Sequence, residues 1–256
     1  MKLNIVPART GLTWVKLGVM TFLRQPLALT GLFFMYMAAV LVILQVPVLG
    51  MVLAAMIVPA ATLGLMAATA EASTGRFPMP TVLLSAFRAG RQRGRAMLVL
   101  GAIYTVGSLV ATLLGSLVAG GGGASAGGDA SGQTVDLRAV AVLVLHLPLV
   151  LLFWHAPALV HWHGVPPVKS LFFSAVACLR NIGALLVYGF AWVLLFLLAG
   201  FAVSAAGMLM GGLGVARSIM MPTVLVLVAM FSTSLYFTFR DSFQAEDPQE
   251  LPDVIL

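Results

Sequence analysis

Six long apolar stretches constrain the fold of this chain more than any other feature of its sequence. They cover residues 26–46, 48–70, 96–119, 138–160, 183–206 and 218–239, and each is long enough to cross a hydrocarbon layer about 30 Å thick. The chain is 61% hydrophobic and 9% charged, whereas roughly one-quarter of the residues in an ordinary soluble domain are charged. The sequence therefore predicts an all-α integral membrane protein with about six transmembrane helices, folded as a single membrane domain over residues 1–256.

Basic residues are distributed unevenly around these stretches. If the N-terminus is inside, 12 of the 14 Lys and Arg residues are cytoplasmic, and only Arg138 and Arg217 are outside. Because Lys and Arg are retained on the cytoplasmic side, we expect a bacterial inner-membrane protein with both termini cytoplasmic. The N-terminus lacks the features of a cleaved signal peptide. The positive net charge is explained by this topology, so nucleic acid is not an expected partner.

Three segments between the apolar stretches are too polar to span and too apolar for ordinary loops. We name residues 9–24, 81–95 and 168–180 the first, second and third elbow segments. In each, basic residues fall along one helical line, which is typical of a helix in the headgroup plane. The sequence predicts three basic amphipathic interfacial helices that contact anionic lipid headgroups through Arg9, Lys16, Arg24, Arg88, Arg91, Arg95, Lys169 and Arg180.

The elbow segments recur in a similar context. FLRQPLALTGLFF at 22–34 resembles CLRNIGALLVYGF at 178–190, and each return span carries a proline, Pro59, Pro157 or Pro222. This pattern predicts a threefold internal repeat. Its units would be residues 1–79, 80–166 and 167–240, followed by an acidic cytoplasmic tail at 241–256. Sorting of charge by topology alone would also produce much of the pattern.

The opening VPARTGLTWVKLGVMTFLRQPLALTGLFFMYM, with the later RFPMP and HAPALV segments, resembles an uncharacterised family of polytopic bacterial inner-membrane proteins. The resemblance covers essentially the whole chain. It implies a six-span fold and an inner-membrane location, and it brings no activity and no site residue.

Histidines are the only ionisable residues expected within the spans, because every carboxylate is expected in a loop or tail. His146 and His155 fall in the fourth span, nine residues apart, so on one helix they face opposite sides. Ionisable residues inside a membrane are candidates for function. We expect neutral histidines hydrogen-bonded within the bundle, with a haem ligand, a proton relay or a substrate contact as alternatives.

The other candidates for metal binding or catalysis are weak. His161 and His163 lack further ligands and are expected in an interfacial aromatic belt. A methionine cluster beside an outer turn could hold copper(I), although methionine is a common filler of apolar spans; it consists of Met208, Met210, Met220 and Met221. The single cysteine, Cys178, has no activating motif. We therefore expect no cofactor and no enzymatic activity.

Small residues in the third span form a packing ladder of Gly107, Ala111 and Gly115, which allows close helix approach. The sequence favours a non-catalytic scaffold or accessory component that acts through anionic lipids and through other membrane proteins or a second copy of itself. The alternative is a small transporter or lipid-handling permease, in which proline-broken return spans open a midplane cavity lined by Tyr104, Ser108 or His146.

Overall fold

The computed structural model of the protein describes residues 2–47, 49–118 and 137–244. Most of the predicted acidic tail lies outside these residues. In chain order the helices are α1 (Thr10–Arg24), α2 (Pro26–Leu44), α3 (Leu49–Ser73), a 3-10 helix (Pro80–Leu84), α4 (Ser85–Arg88), α5 (Arg91–Val118), α6 (Leu137–Phe153), α7 (Ala156–His163), α8 (Pro167–Arg180), α9 (Ile182–Met210) and α10 (Leu213–Ser242). The predicted all-helical fold is confirmed, apart from two very short strands.

Six helical segments are long and apolar enough to cross a membrane. They are Pro26–Leu44, Leu49–Ser73, Arg91–Val118, Ala139–His163, Ile182–Met210 and Leu213–Ser242, which confirms the number and position of the predicted spans. Their outer faces expose large apolar side chains, among them Leu41, Leu197 and Leu209. A surface of this kind is stable in lipid and unfavourable in water.

The spans form three helical hairpins. The first hairpin is α2 with α3, the second is α5 with α6 and α7, and the third is α9 with α10. The three return helices meet at one end of the bundle, where Met66, Leu159 and Phe239 are buried in one cluster. α3, α7 and α10 therefore share one of the four buried clusters that make up the core of the described chain.

The elbow segments differ in structure. α1 and α8 are continuous helices, each separated from the next span by a single residue, Gln25 or Asn181. The predicted helical pattern over 81–95 is wrong, because the chain forms the 3-10 helix and α4, turns at Gly90 with a φ of 103°, and starts α5 at Arg91. Arg91 and Arg95 therefore belong to the first turns of a span.

Each elbow segment packs against a hairpin other than the one it leads into. α1 lies on α9 and α10 of the third hairpin, the 3-10 helix and α4 lie on α3 of the first, and α8 lies on α6 and α7 of the second. The three hairpins are thus joined in a cyclic order.

The two ends of the described chain are joined by a pair of short strands. β1 (Lys2–Leu3) pairs antiparallel with β2 (Phe243–Gln244). Beside them Asn181 accepts a hydrogen bond from the Val6 amide at 2.9 Å and donates one to the Asn4 carbonyl at 3.1 Å. Both ends of the described chain therefore lie on the same side of the bundle.

Candidate functional site

A polar cavity of about 560 Å³ lies where the second elbow segment meets the ends of α3 and α7. We name it the elbow cavity. Its walls come from four elements, α3, the 3-10 helix with α4, α5 and α7. The lining residues are Glu71, Met79, Thr81, Val82, Ser85, Arg88, Ala89, Arg93 and His161.

Local sequence explains why the chain is irregular around this cavity. Pro80 occupies the first turn of the 3-10 helix, a position where the missing N–H of proline has no helical partner to lose. A Cβ added at Gly64 of α3 would lie 2.9 Å from the Cα of Leu83, so this glycine lets the 3-10 helix lie directly on α3. The positive φ of Gly90 then turns the chain into α5.

The turn at Gly90 brings two cations to one cavity. Arg88 ends α4 and Arg93 lies in the first turn of α5, and both side chains line the cavity together with the single carboxylate of Glu71. The Oγ of Ser85 and the Nδ1 of His161 are buried without a hydrogen-bond partner in the described part of the chain. The cavity thus combines excess positive charge with unsatisfied polar atoms.

All eight residues predicted to contact lipid headgroups are exposed, but they do not form one surface. Arg9, Lys16 and Arg24 lie on or beside α1, and Lys169 and Arg180 lie on α8. Of the three predicted in the second elbow segment, Arg88 lines the elbow cavity, whereas Arg91 and Arg95 are exposed on α5 and are not among its lining residues.

The inner faces of α1 and α8 are buried in the same register. When the FLR of residues 22–24 is aligned with the CLR of residues 178–180, every buried residue of α8 falls on a buried residue of α1. The buried residues of α8 are Ser170, Leu171, Ser174, Ala177 and Cys178, and their counterparts in α1 are Trp14, Val15, Gly18, Thr21 and Phe22. The sequence predicts α1 as a helix in the headgroup plane, but the structure packs its apolar face against protein.

His146 takes part in a contact between α5 and α6. Its Nε2 lies 3.3 Å from the Ser108 hydroxyl, and its Nδ1 lies 2.8 Å from the Val142 carbonyl. Tyr104, one turn away on α5, packs edge-on against Phe153 with ring centroids 5.1 Å apart. The three residues named for a midplane cavity are therefore engaged in packing between two helices.

His155 lies at a break in the fourth span, which sequence analysis predicted as a single helix. α6 ends at Phe153 and α7 begins at Ala156 with Pro157 in its first turn. Proline cannot donate to the carbonyl of the residue four positions earlier, and its ring disfavours a continuous helix. The His155 side chain is fully buried and packs against the rings of Phe239 and Phe243.

The backbone freed at this break is satisfied by α8. The His155 amide donates to the Ser174 hydroxyl at 2.9 Å, and that hydroxyl donates to the Leu151 carbonyl at 2.9 Å. The Cys178 thiol contacts the same carbonyl at 3.7 Å. One hydroxyl therefore replaces the helical hydrogen bond that would join residues 151 and 155.

The remaining histidines lie at the end of α7 among aromatic rings. Trp162 stacks on Phe239 with ring centroids 5.1 Å apart, and His163 lies 5.9 Å from the same ring. Across the described residues no group of three or more His, Cys, Asp or Glu side chains is arranged to hold a metal ion.

The ladder of Gly107, Ala111 and Gly115 lies within the second hairpin. A Cβ added at Gly107 would lie 2.7 Å from a methyl group of Leu149, and one at Gly115 would lie 2.9 Å from the Cα of Val142. These small residues let α5 approach α6 closely. Gly11 and Gly18 were not predicted as packing residues, yet they bring α1 against the backbone of α9 and α10.

Two carboxylates were misplaced by sequence analysis. Glu71 was expected in a loop, but α3 continues to Ser73, so Glu71 lies in its last turn. Asp241 was assigned to the tail, yet α10 includes it, and its Oδ2 accepts a hydrogen bond from the Trp14 indole at 2.9 Å. The sequence has no helix-breaking residue between each span and its carboxylate, and this absence could have predicted that both helices continue to the carboxylate.

Comparison with known proteins places the chain among inner-membrane proteins. A probable inner membrane protein of Burkholderia thailandensis is 36% identical over 259 aligned residues, which cover 97% of this chain and 96% of the relative. The chain belongs to the family of this protein. The resemblance inferred from the opening segment is thereby confirmed for this inner-membrane family. No family model matches the chain, and no solved structure matches it.

Proposed function

We propose that this protein is a non-catalytic scaffold or accessory component of the inner membrane that binds anionic lipid headgroups through its elbow segments. The observation that supports the proposal is that α1 and α8 each have one buried face and one exposed basic face. Their inner faces are buried against neighbouring hairpins, while their outer faces place Lys16 and Arg24, or Lys169 and Arg180, beside exposed apolar side chains. Such a face lies at the boundary between headgroups and acyl chains.

The proposal includes an orientation in which the elbow segments and both termini face the cytoplasm. The strand pair between β1 and β2 holds the two ends on one side of the bundle, and the exposed cations of α1 and α8 lie on the elbow segments. Basic residues are retained in the cytoplasm and are attracted to the negative inner leaflet.

The proposal also includes the threefold repeat over residues 1–79, 80–166 and 167–240. The cyclic packing of elbow segments on hairpins and the shared burial register of α1 and α8 support it. The prolines do not support it, because Pro59 precedes the end of its return helix by 14 residues, Pro157 by 6 and Pro222 by 20.

Contacts inside the bundle favour a scaffold over a permease. α3 and α10 continue through Pro59 and Pro222 as unbroken helices. At the one broken return span, the Ser174 hydroxyl occupies the freed backbone groups. A transporter of the type considered from the sequence would instead offer such groups to a substrate.

The only cysteine is poorly suited to nucleophilic catalysis. Cys178 lies on the buried face of α8, and burial raises the pKa of its thiol to about 12. A nucleophilic cysteine requires the thiolate form at neutral pH. The environment of Cys178 therefore supports the non-catalytic part of the proposal.

The lipid part can be tested by thermal unfolding in nanodiscs of neutral lipid with and without anionic lipid. We expect the wild-type protein to melt about 5 °C higher with anionic lipid, because a ligand that binds the folded state raises its stability. A K16Q/R24Q/K169Q/R180Q variant should lose most of this difference. R217Q is the control for a single cation outside the elbow segments, since Arg217 is exposed on α10 at the opposite end of the spans. Equal melting temperatures of the wild-type protein in both lipids would contradict the proposal.

A further inference from the structure

We propose that the elbow cavity binds the phosphate group of one anionic glycerophospholipid, with the glycerol backbone in the cavity and the acyl chains in the surrounding bilayer. This inference rests on the proposed function and deepens it, because it names a defined site and the chemistry of its ligand. It differs from the binding of headgroups to α1 and α8, where the cations lie along a helix surface and line no cavity.

The charged side chains of the cavity match a phosphate group. Arg88 and Arg93 approach from two different helices, and Glu71 is the single carboxylate in the lining, so the formal charge of these three residues is +1. Guanidinium groups present several N–H donors in a planar fork that fits phosphate oxygens. The break at Gly90 is what directs both of these residues to one cavity, whereas a continuous helix would place their side chains about 140° apart.

The unsatisfied polar atoms supply the second observation. Ser85 Oγ and His161 Nδ1 are buried and unpartnered within the described residues, and both residues line the cavity, as does Thr81. Buried polar atoms in native proteins are nearly always paired. Phosphate oxygens accept hydrogen bonds from hydroxyl groups and from the N–H of a neutral imidazole, so a phosphate in the cavity offers acceptors to Ser85 and His161 as well as to the two arginines.

The apolar surroundings indicate that the phosphate is carried on a lipid. Met79, Leu84 and Phe87 are 62%, 56% and 45% exposed, and they lie in or beside the same turn as the cavity-lining residues. Exposed apolar side chains next to a charged cavity fit a ligand that is polar at one end and apolar at the other. A volume of about 560 Å³ lies within the usual range for small-ligand sites and leaves room for the glycerol backbone.

The inference can be tested by titrating dioctanoyl phosphatidic acid into the purified full-length protein in a neutral detergent, with native mass spectrometry as the readout. We expect one lipid to bind more tightly than the rest. R88Q/R93Q should weaken that binding at least about tenfold, because two charge-assisted hydrogen bonds are lost. The matched control is R91Q/R95Q, which removes the same charge from the same region and leaves the cavity lining unchanged. It should change the dissociation constant by less than about twofold.

Ser85→Ala provides an independent test that leaves the charge unchanged. It should weaken binding severalfold while the melting temperature stays close to that of the wild-type protein, and it keeps the inference testable if R88Q/R93Q fails to fold. Equal weakening by the two double variants would overturn the cavity site and leave diffuse headgroup binding intact. Binding of glycerol 3-phosphate as tight as that of the lipid would overturn the lipid assignment. The nanodisc experiment uses residues outside the cavity, so its outcome distinguishes failure of the proposed function from failure of this site.

Discussion

The first and third elbow segments fold as continuous helices seated on protein, whereas the second breaks into short pieces around a cavity. In α1 and α8 the small residues that allow close packing on the neighbouring hairpin belong to the elbow helix itself. They are Gly11 and Gly18 in α1, and Ser170 and Ser174 in α8. In the second segment the close contact is made by a glycine of the hairpin, Gly64.

This difference shows how similar charge patterns lead to different surfaces. A helix with small residues on its own inner face can lie flat on a neighbouring hairpin, and its cations then face outward along one stripe. The second segment has bulky Leu83 against α3, while Gly90 allows the chain to turn. Two of its arginines consequently face a cavity, and the remaining cations stay on the outside of α5.

The largest effect is expected from filling the contact between α1 and the third hairpin. A Cβ at Gly18 would lie 2.4 Å from the Cβ of Ser234, so Gly18→Leu would force the helices apart. We expect the free energy of unfolding to fall by about 3 kcal/mol, measured by thermal unfolding in detergent. The control is Gly31→Ala, at a position with no atom within 4 Å. An equal loss of stability in both variants would show that α1 does not pack on the third hairpin as described.

A smaller loss is expected from removing the bridging hydroxyl between α8 and the broken span. Ser174→Ala leaves the His155 amide and the Leu151 carbonyl without their partner, which should lower stability by about 2 kcal/mol. Ser170→Ala is the control, because this equally buried serine bonds only to the Pro167 carbonyl of its own helix. Its expected loss is below about 1 kcal/mol. Equal melting temperatures for the two variants would contradict the bridging role.

The turn in the second elbow segment should respond more weakly. Gly90 has a φ of 103° with no atom within 4 Å of an added Cβ, so Gly90→Ala introduces backbone strain without a collision. We expect a loss of about 1 kcal/mol, together with weaker lipid binding if Arg88 and Arg93 lose their common orientation. Gly94→Ala is the control, since this helical glycine has only distant neighbours. A rise in stability at Gly90 would indicate that α4 and α5 prefer to form one helix.

The smallest effect on stability at neutral pH concerns Cys178. Because its thiol pKa is raised to about 12 in the folded protein, the folded state retains a proton that the unfolded chain loses near pH 9. Stability should therefore decrease as the pH rises from about 9 towards about 12, and it should not change with the state of this thiol at neutral pH. Maleimide labelling at pH 8 should be slow for Cys178 and fast for L179C in a C178S background, because Leu179 is 61% exposed. Rapid labelling of the wild-type protein would show that α8 separates from the second hairpin and exposes Cys178.

The six spans could be predicted because their length and apolar character depend only on local sequence. The position of α1 could also be predicted, but its environment could not. The pattern that places Trp14 and Phe22 opposite Lys16 is the same whether the apolar face meets lipid or protein. Only Gly11 and Gly18, which allow the third hairpin to pack closely on α1, distinguish the two cases. The residues that these glycines contact lie more than 170 positions away in the sequence.

The elbow cavity could not be predicted from the sequence for a related reason. The spacing of Arg88, Arg91 and Arg95 fits one face of a helix, and this local preference is overridden by the contact of Leu83 with Gly64 and by the turn at Gly90. His161 comes from α7, about 70 residues further along the chain than these arginines. A site built from three separate segments has no continuous signature along the chain.

The pairing of β1 with β2 has a consequence for biogenesis. β1 precedes all six spans along the chain, but its partner β2 follows the sixth span. Contacts between residues so far apart in sequence form late in folding, so β1 cannot pair with β2 until all three hairpins have been inserted. A chain that ends before residue 243 therefore leaves β1 without its partner strand.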